Sequence, residues 1–253
     1  NRLAAYLLDQ GVTLRVYSPT TDAPAFPPTG DLVSVPSWPL PGGRGEYRLA
    51  KGLPADVRAD LAAFAPNIVH IAAPDILGHR AVTWARQHNV ATVASVHTRF
   101  ETYLRYYGLG FLEPVLVAIQ KRLYSRVDAV LSPSQMITDM LHQWGITTPI
   151  GRWSRGINHD QFNPTRRSME WRRALGIGDE EVVVGFLSRL VLEKGLDILA
   201  GTVAELERRG VAHRLLIVGD GPARAWLAER APHAIFAGFL TGEELGRAVA
   251  SMD

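Results

Sequence analysis

Seven short apolar or β-branched runs punctuate the chain: "VTLRVYSP", "NIVHIAAP", "ATVASVH", "DAVLSPS", "EEVVVGFLSR", "HRLLIVGDGP" and "HAIFAGFL". They end in small, polar or turn-forming residues, and helical periodicity follows them. This pattern constrains the fold more than any other feature. A near-continuous apolar strand is what a parallel sheet covered on both faces requires, and alternation with helices gives right-handed crossovers. The spacing predicts helices near 55–65, 75–88, 111–127, 134–143, 195–209, 222–230 and 242–252. Pro54, Asp75, Ser134 and Thr241 stand where helix starts are expected, and Pro222 reads as the first-turn residue of the helix at 222.

Residues 18–44 depart from the pattern, because proline and glycine are too dense there for a helix or a central strand. A long surface loop around one short strand is expected. A second irregular stretch, "RWSRGINHDQFNPTRRSMEW", precedes a fresh βαβ series and places a domain boundary near residue 164. The expectation is an α/β protein with two Rossmann-like halves, the second one short.

Composition narrows the function classes. The 253 residues are 47% hydrophobic and 21% charged, as suits a globular chain that buries a sizeable core. With no cysteine there is no disulfide framework, Cys-ligated zinc or thiol nucleophile, and a reducing compartment, the cytoplasm, is the expected address. A formal charge of +2 is no polybasic footprint, so no nucleic-acid partner is expected. No apolar run approaches the length that spans a bilayer. The opening "NRLAAYLLDQG" reads as an amphipathic helix already in progress, without an initiator methionine, and "EELGRAVASMD" is a helix running to the last residue. A longer parent protein is expected on both counts.

In open parallel sheets ligands bind beyond the carboxyl ends of the strands, which singles out His97, 132–134, 155–158, 189–194, 219–222 and 238–240. "VGDGPARAWL" sets Gly219 and Gly221 between a strand and a helix, but a dinucleotide fingerprint needs a glycine where Arg224 stands and an acidic anchor after the next strand. Alone, it reads first as a strand-turn-helix corner, and only second as a helix start facing an anion. The phosphate-loop pattern and any D-x-D metal pair are absent. His70, His79, His88 and His97 recur at equal intervals, but one strand and one helix carry the first three, so the set is expected to diverge in space and not to hold a metal. His97 closes a strand and opens the aromatic stretch "HTRFETYLRYYGLGF", where it either caps a loop or meets a sugar hydroxyl. Arg189 and Lys194 flank Glu193 at the exit of another strand; alone they read as surface charges or as a phosphate grip.

Taken together and in order, "FLSRLVLEKGLDIL", "LLIVGDGPARAWLAE" and "AIFAGFLTGEELGRAVASMD" resemble the donor half of retaining GT-B glycosyltransferases of the family 4 type (group 1 glycosyltransferases). "SVHTRF", "DAVLSPSQ" and "RGINHDQFNP" extend the resemblance through the first half. It implies two Rossmann-like domains with parallel sheets facing across a cleft: 1–163 on the acceptor side, missing its first strand, and 164–253, truncated, binding the donor. The implied reaction moves a hexose with retention from a nucleotide-diphosphate sugar, GDP-mannose or a UDP-sugar, to a glycolipid, polysaccharide or small acceptor. The nucleotide sugar is a co-substrate; no cofactor and no metal are implied.

Carried over by position, His97, Arg189 and Lys194 are the catalytic residues. Arg189 and Lys194 grip the donor phosphates, Gly219, Asp220, Gly221 and Pro222 wall the nucleotide, and Gly238, Phe239 and Leu240 meet its base. His97, Arg99 and Tyr103 serve the acceptor side. Asn158 replaces the aspartate usual in the interdomain motif, which weakens a helix-cap or hinge role there. The family's glycine-rich loop and E-x7-E motif are not in this sequence, so these 253 residues by themselves are expected to be inactive or nearly so. Tyr103, Tyr106, Tyr107 and Phe111, with Arg99, Arg105, Lys121, Arg122 and Arg126, form an aromatic and basic segment that suits either a core seam or peripheral contact with the inner face of the plasma membrane and a lipid-linked acceptor. Competing readings are an NAD(P)-dependent oxidoreductase and a noncatalytic sugar- or nucleotide-binding module.

Overall fold

A computed structural model describes residues 2–22, 24, 27–40, 44–154 and 156–253, with the main chain alone at 40, 44–47 and 107. The chain divides into two compact units, 1–155 and 156–253. The first unit runs α1 (Arg2–Asp9), β1 (Arg15–Ser18), β2 (Asp31–Ser34), β3 (Ser37–Leu40), β4 (Arg44–Ala50), α2 (Ala55–Phe64), β5 (Ile68–Ile71) and α3 (Ile76–Gln87). It continues through β6 (Ala91–Ser95), α4 (Phe100–Tyr103), α5 (Glu113–Tyr124), β7 (Ala129–Ser132), α6 (Gln135–Gln143) and β8 (Ile150–Arg152). The second holds α7 (Met169–Ala174), β9 (Val183–Leu187), α8 (Leu196–Arg208), β10 (Arg214–Val218), α9 (Arg224–Arg230), β11 (Ile235–Gly238) and α10 (Gly242–Ala250).

In the first unit β5-β6-β7-β8 form a parallel sheet and β1 pairs parallel with β2. Ile71, Ala94, Val96 and Val130 carry the sheet's apolar side into one core with Val82, Leu123 and Leu141 of the crossover helices. Helix starts follow the capping chemistry: the Asp75 carboxylate accepts from the Gly78 N–H at 2.8 Å, and the Ser134 hydroxyl from the Ile137 N–H at 3.4 Å. Thr241, by contrast, supplies no side-chain cap, and α9 begins at Arg224, leaving Pro222 ahead of its first turn.

The stretch at 18–44 holds more order than a loop around one strand. Besides β2, β3 pairs antiparallel with β4. Among the described residues β3 pairs only with β4, and such an open-edged strand tolerates a proline such as Pro39. Residues 23, 25, 26 and 41–43 of that stretch, and Arg155 among the strand-exit candidates, lie outside the described residues.

In the second unit the parallel sheet runs β11-β10-β9. Leu215 and Ile217 of β10 pack in one core with Leu196, Ala200 and Leu227, while Leu216 and Val218 pack in another with Ile177 and Ala248. Alternate residues of one strand thus serve two layers, which is why "RLLIV" has no polar phase. The segment at 156–163 folds with this unit. Asn158 Oδ1 accepts from the N–H groups of Asp160 (3.0 Å) and Gln161 (3.3 Å), which closes a turn there. Gly246 of α10 lies so close to that turn that a Cβ would meet the Gln161 carbonyl oxygen at 2.1 Å.

Arg172, with no solvent exposure, pins the amino-terminal side of this unit. Its guanidinium donates to the carbonyls of Ser251 (3.1 Å), Gly178 (3.2 Å) and Glu181, and to the Asp253 carboxylate (2.9 Å). Asp253 also accepts from the Val183 N–H (2.9 Å) and from Arg167 (2.7 Å). The Val183 N–H bond and then Arg172 hold its pKa down to about 2. The folded pKa lies below the unfolded one, so this contribution is full above about pH 4 and is lost as pH falls toward about 2. Because Asp253 is partly solvated, about 1–2 kcal/mol is expected from it. Urea titrations of wild type and Asp253→Asn at pH values spanning that window check this: the difference between them should shrink on acidification.

Candidate functional site

The second unit's candidate site is built from main-chain groups at the carboxyl ends of all three strands. Ser188 N–H donates to the Val218 carbonyl (3.1 Å), Leu190 N–H to Asp220 (2.9 Å), Ala223 N–H to Leu190 (2.9 Å) and Gly219 N–H to Gly238 (2.8 Å). The turns after β9, β10 and β11 are thereby joined into one floor. The close approach dictates glycine. At Gly219, with φ +134°, a Cβ would lie 1.9 Å from the Ser188 carbonyl oxygen, and at Gly221 a Cβ would lie 2.5 Å from that of Leu190. The Asp220 carboxylate accepts from the Gly221 N–H at 2.8 Å, which shapes the turn from within.

Arg189 and Lys194 rise from this floor. Leu190 and Leu196, both fully buried, anchor the segment at its two ends, and a 3-10 turn over Leu192–Lys194 closes on Gly195 at φ +71° before α8 starts. Both cationic side chains are exposed, with half-buried Glu193 between them in sequence. The corner thus sets two exposed cationic side chains and one half-buried carboxylate beside a floor of peptide groups. Gly238 at φ +75° has open space around it and Phe239 is 64% exposed, whereas Leu240 packs against the core of Ile177 and Val218. Arg224, where a dinucleotide fingerprint needs glycine, lies 5.1 Å from the Phe236 ring centroid as a cation–π pair.

The first unit gathers a different set. His97 meets Trp153 edge to face at 4.9 Å between ring centroids, and His70 meets the same ring at 5.8 Å. The four equally spaced histidines therefore do not all diverge: His70 and His97 converge, because neighbouring parallel strands β5 and β6 end side by side and Trp153 follows β8. Desolvation, and secondarily the charge of His97, hold the His70 pKa below the ordinary imidazole value, although the residue keeps some solvent contact. Sequence reasoning missed Trp153; the available signal was a large aromatic directly after a short strand. Among the described residues no three His, Asp or Glu side chains gather as a metal site.

Arg99 is tied down. Its Nε donates at 2.8 Å to Glu101, a carboxylate only 1% exposed that also accepts from Gln120 at 3.1 Å. That bond spans the start of α4, and at its far end Tyr103 meets Phe100 edge-on at 6.2 Å between ring centroids. Ser132 is likewise occupied, its buried hydroxyl 2.6 Å from that of Thr138 on α6.

Comparison with known proteins places these sites in a family. The profile of Glycosyltransferase Family 4 matches residues 1–161, and that of Glycosyl transferases group 1 matches 181–253. The chain belongs to glycosyltransferase family 4. Its relatives include a GDP-mannose-dependent alpha-mannosyltransferase of Corynebacterium glutamicum, 35% identical over 78% of this chain and 46% of that protein. Another of the same description, from Mycobacterium tuberculosis, is 37% identical over 85% of this chain and 53% of its own length. The chain spans about half the length of these curated relatives. Among solved structures, Anabaena Alr3699/HepE in complex with UDP superposes with a TM-score of 0.65 over 88% of this chain and 59% of its own, at 16% identity. That likeness shows the fold: two α/β units with parallel sheets, the GT-B architecture of the family.

Proposed function

We propose that this family member is a retaining hexosyltransferase whose second unit binds a nucleotide-diphosphate sugar and whose first unit binds the acceptor, a saccharide or a lipid-linked hydroxyl. The observation that carries the proposal is the corner after β9, where Arg189 and Lys194 stand exposed above a main-chain floor. Breaking the bond between the anomeric carbon and the diphosphate leaves negative charge on the departing oxygen. Fixed cations stabilise that charge more in the transition state than in the ground state, which is what accelerates the step. Gly219, Asp220, Gly221 and Pro222 then wall the nucleotide, and the Gly238–Leu240 backbone meets its base. On the acceptor side His97, packed against Trp153, faces the transferred sugar, with Arg99 and Tyr103 serving the acceptor. The two relatives described as GDP-mannose-dependent favour GDP-mannose as donor over a UDP-sugar.

An oxidoreductase reading has less support, since Arg224 is engaged with Phe236 where the cofactor fingerprint requires glycine. Thermal shift on the intact protein separates the two. GDP at a hundred times its dissociation constant should stabilise by about 2.7 kcal/mol, with NADH giving no shift. A shift with NADH and none with GDP or UDP overturns the transferase reading.

A further inference from the structure

The β3–β4 hairpin turns an indole ring toward water. Its pairing sets Ser37 opposite Ala50 and Trp38 opposite Leu49, so its two faces alternate along the strands. The inner face is core: Val35 and Ala50, at the hairpin's base, are buried with Val57 and pack against Leu77 in the first turn of α3. The outer face carries Trp38 and Leu49, both exposed, and Lys51 two residues further on. Trp38 is 51% exposed, and the Lys51 ammonium stands over its ring at 5.1 Å from the centroid.

The main chain fixes where this face lies. Lys51 N–H donates to the Pro36 carbonyl at 2.8 Å, closing the base of the hairpin, and the next residue, Gly52, lies against α3, where a Cβ would meet Ile76 at 3.5 Å. α3 starts where β5 has just ended, and β6, whose exit leads to His97, runs parallel beside β5. The base of the hairpin is therefore at the strand-exit end of the first unit, where an open parallel sheet takes its ligand.

A core role does not account for Trp38. Burying an indole is among the largest apolar gains a chain can make, yet half of this one meets water at a ligand-binding rim. A pyranose matches what is offered: the axial C–H groups of one ring face are apolar and lie flat on an indole, while the hydroxyls at its edge accept hydrogen bonds from an ammonium. A lipid chain would cover Trp38 and Leu49 but strip water from the ammonium and give no hydrogen bond back.

We propose that Trp38 and Lys51 form a saccharide subsite, Trp38 stacking on a pyranose of the acceptor and Lys51 donating to its hydroxyls. The assignment rests on the reading of the first unit as the acceptor side, and it narrows that acceptor to one bearing a sugar ring, free or lipid-linked. Saturation-transfer NMR on the intact protein tests it, with methyl α-D-glucopyranoside and methyl α-D-mannopyranoside as probes and glycerol as the control polyol. Saturation of the pyranose ring protons and none of glycerol is expected in wild type. It should be retained in Trp38→Phe, fall about tenfold in Trp38→Ala and fall about threefold in Lys51→Gln. The thermal shift given by GDP should be the same in all four proteins, because the second unit is untouched. No pyranose saturation in wild type, equal saturation in wild type and Trp38→Ala, or equal saturation of glycerol overturns the subsite, and an intact GDP shift then leaves the transferase reading standing. Saturation that depends on Trp38 in a protein that GDP does not stabilise would do the reverse, keeping the sugar site and removing the transferase reading.

Discussion

Replacing Arg189 or Lys194 with alanine is expected to cut kcat about a hundredfold to a thousandfold in the intact enzyme, with a much smaller change in KM for the donor. The magnitude follows from removing one preorganised donor to developing negative charge, about 2.7–4 kcal/mol. The split follows from timing, since charge on the leaving oxygen grows as the bond breaks. Both side chains are exposed, so neither substitution should shift the melting of the second unit. The double variant should lose less than the product of the two single losses, because both groups act on one charge. Initial-rate kinetics with GDP-mannose and UDP-sugars measure this. Equal losses in kcat/KM borne by KM alone would assign the cations to ground-state binding and remove them from catalysis.

Gly219→Ala is expected to disable the site by a different route. The residue's φ of +134° is disfavoured for any side chain, and the new methyl carbon would sit 1.9 Å from a backbone oxygen of the neighbouring strand exit. No rotamer change relieves a clash between Cβ and main chain. The turn after β10 must move, and with it the bonds from Ser188 to Val218 and from Gly219 to Gly238. A loss of about 3 kcal/mol or more in stability is expected, together with loss of donor-induced thermal shift. Gly238→Ala is the control. It has φ +75° but nothing near its Cβ position, so the cost should be only the left-handed backbone penalty, about 1 kcal/mol. If both variants melt alike, the close approach at Gly219 is not what fixes the turn.

Much of this fold is written locally. "RLLIV" announces a strand buried on both faces, and "SQMITDML" carries its own N-cap and amphipathic period, so both elements are legible from neighbours in sequence. The β3–β4 pair was not legible, because Pro39 and the mixed polarity of "RGEYRLA" conceal an edge hairpin whose pairing is decided by the partner strand. The site divides the same way. Glycines at 219 and 221 signal a tight turn, but that they are needed to clear the carbonyls of Ser188 and Leu190, some thirty residues earlier, is a tertiary fact. The meeting of His70, His97 and Trp153 is another: one strand residue and two strand exits, each unremarkable alone, become neighbours only through the order β5-β6-β7-β8. The outward apolar side of α5 was half visible as aromatic and basic composition, yet Val115 and Ile119 look like ordinary core positions until burial is known.

The floor beneath Arg189 and Lys194 has an evolutionary corollary. Peptide groups hold it, and away from the glycines that the close approach requires, a peptide group is the same whatever residue contributes it. On the proposed donor role, lineages can therefore exchange an outward side chain such as Phe239, and so retune which nucleobase is welcomed, while the main-chain floor below persists unaltered. Donor preference and chemical competence are separable traits in such a scaffold.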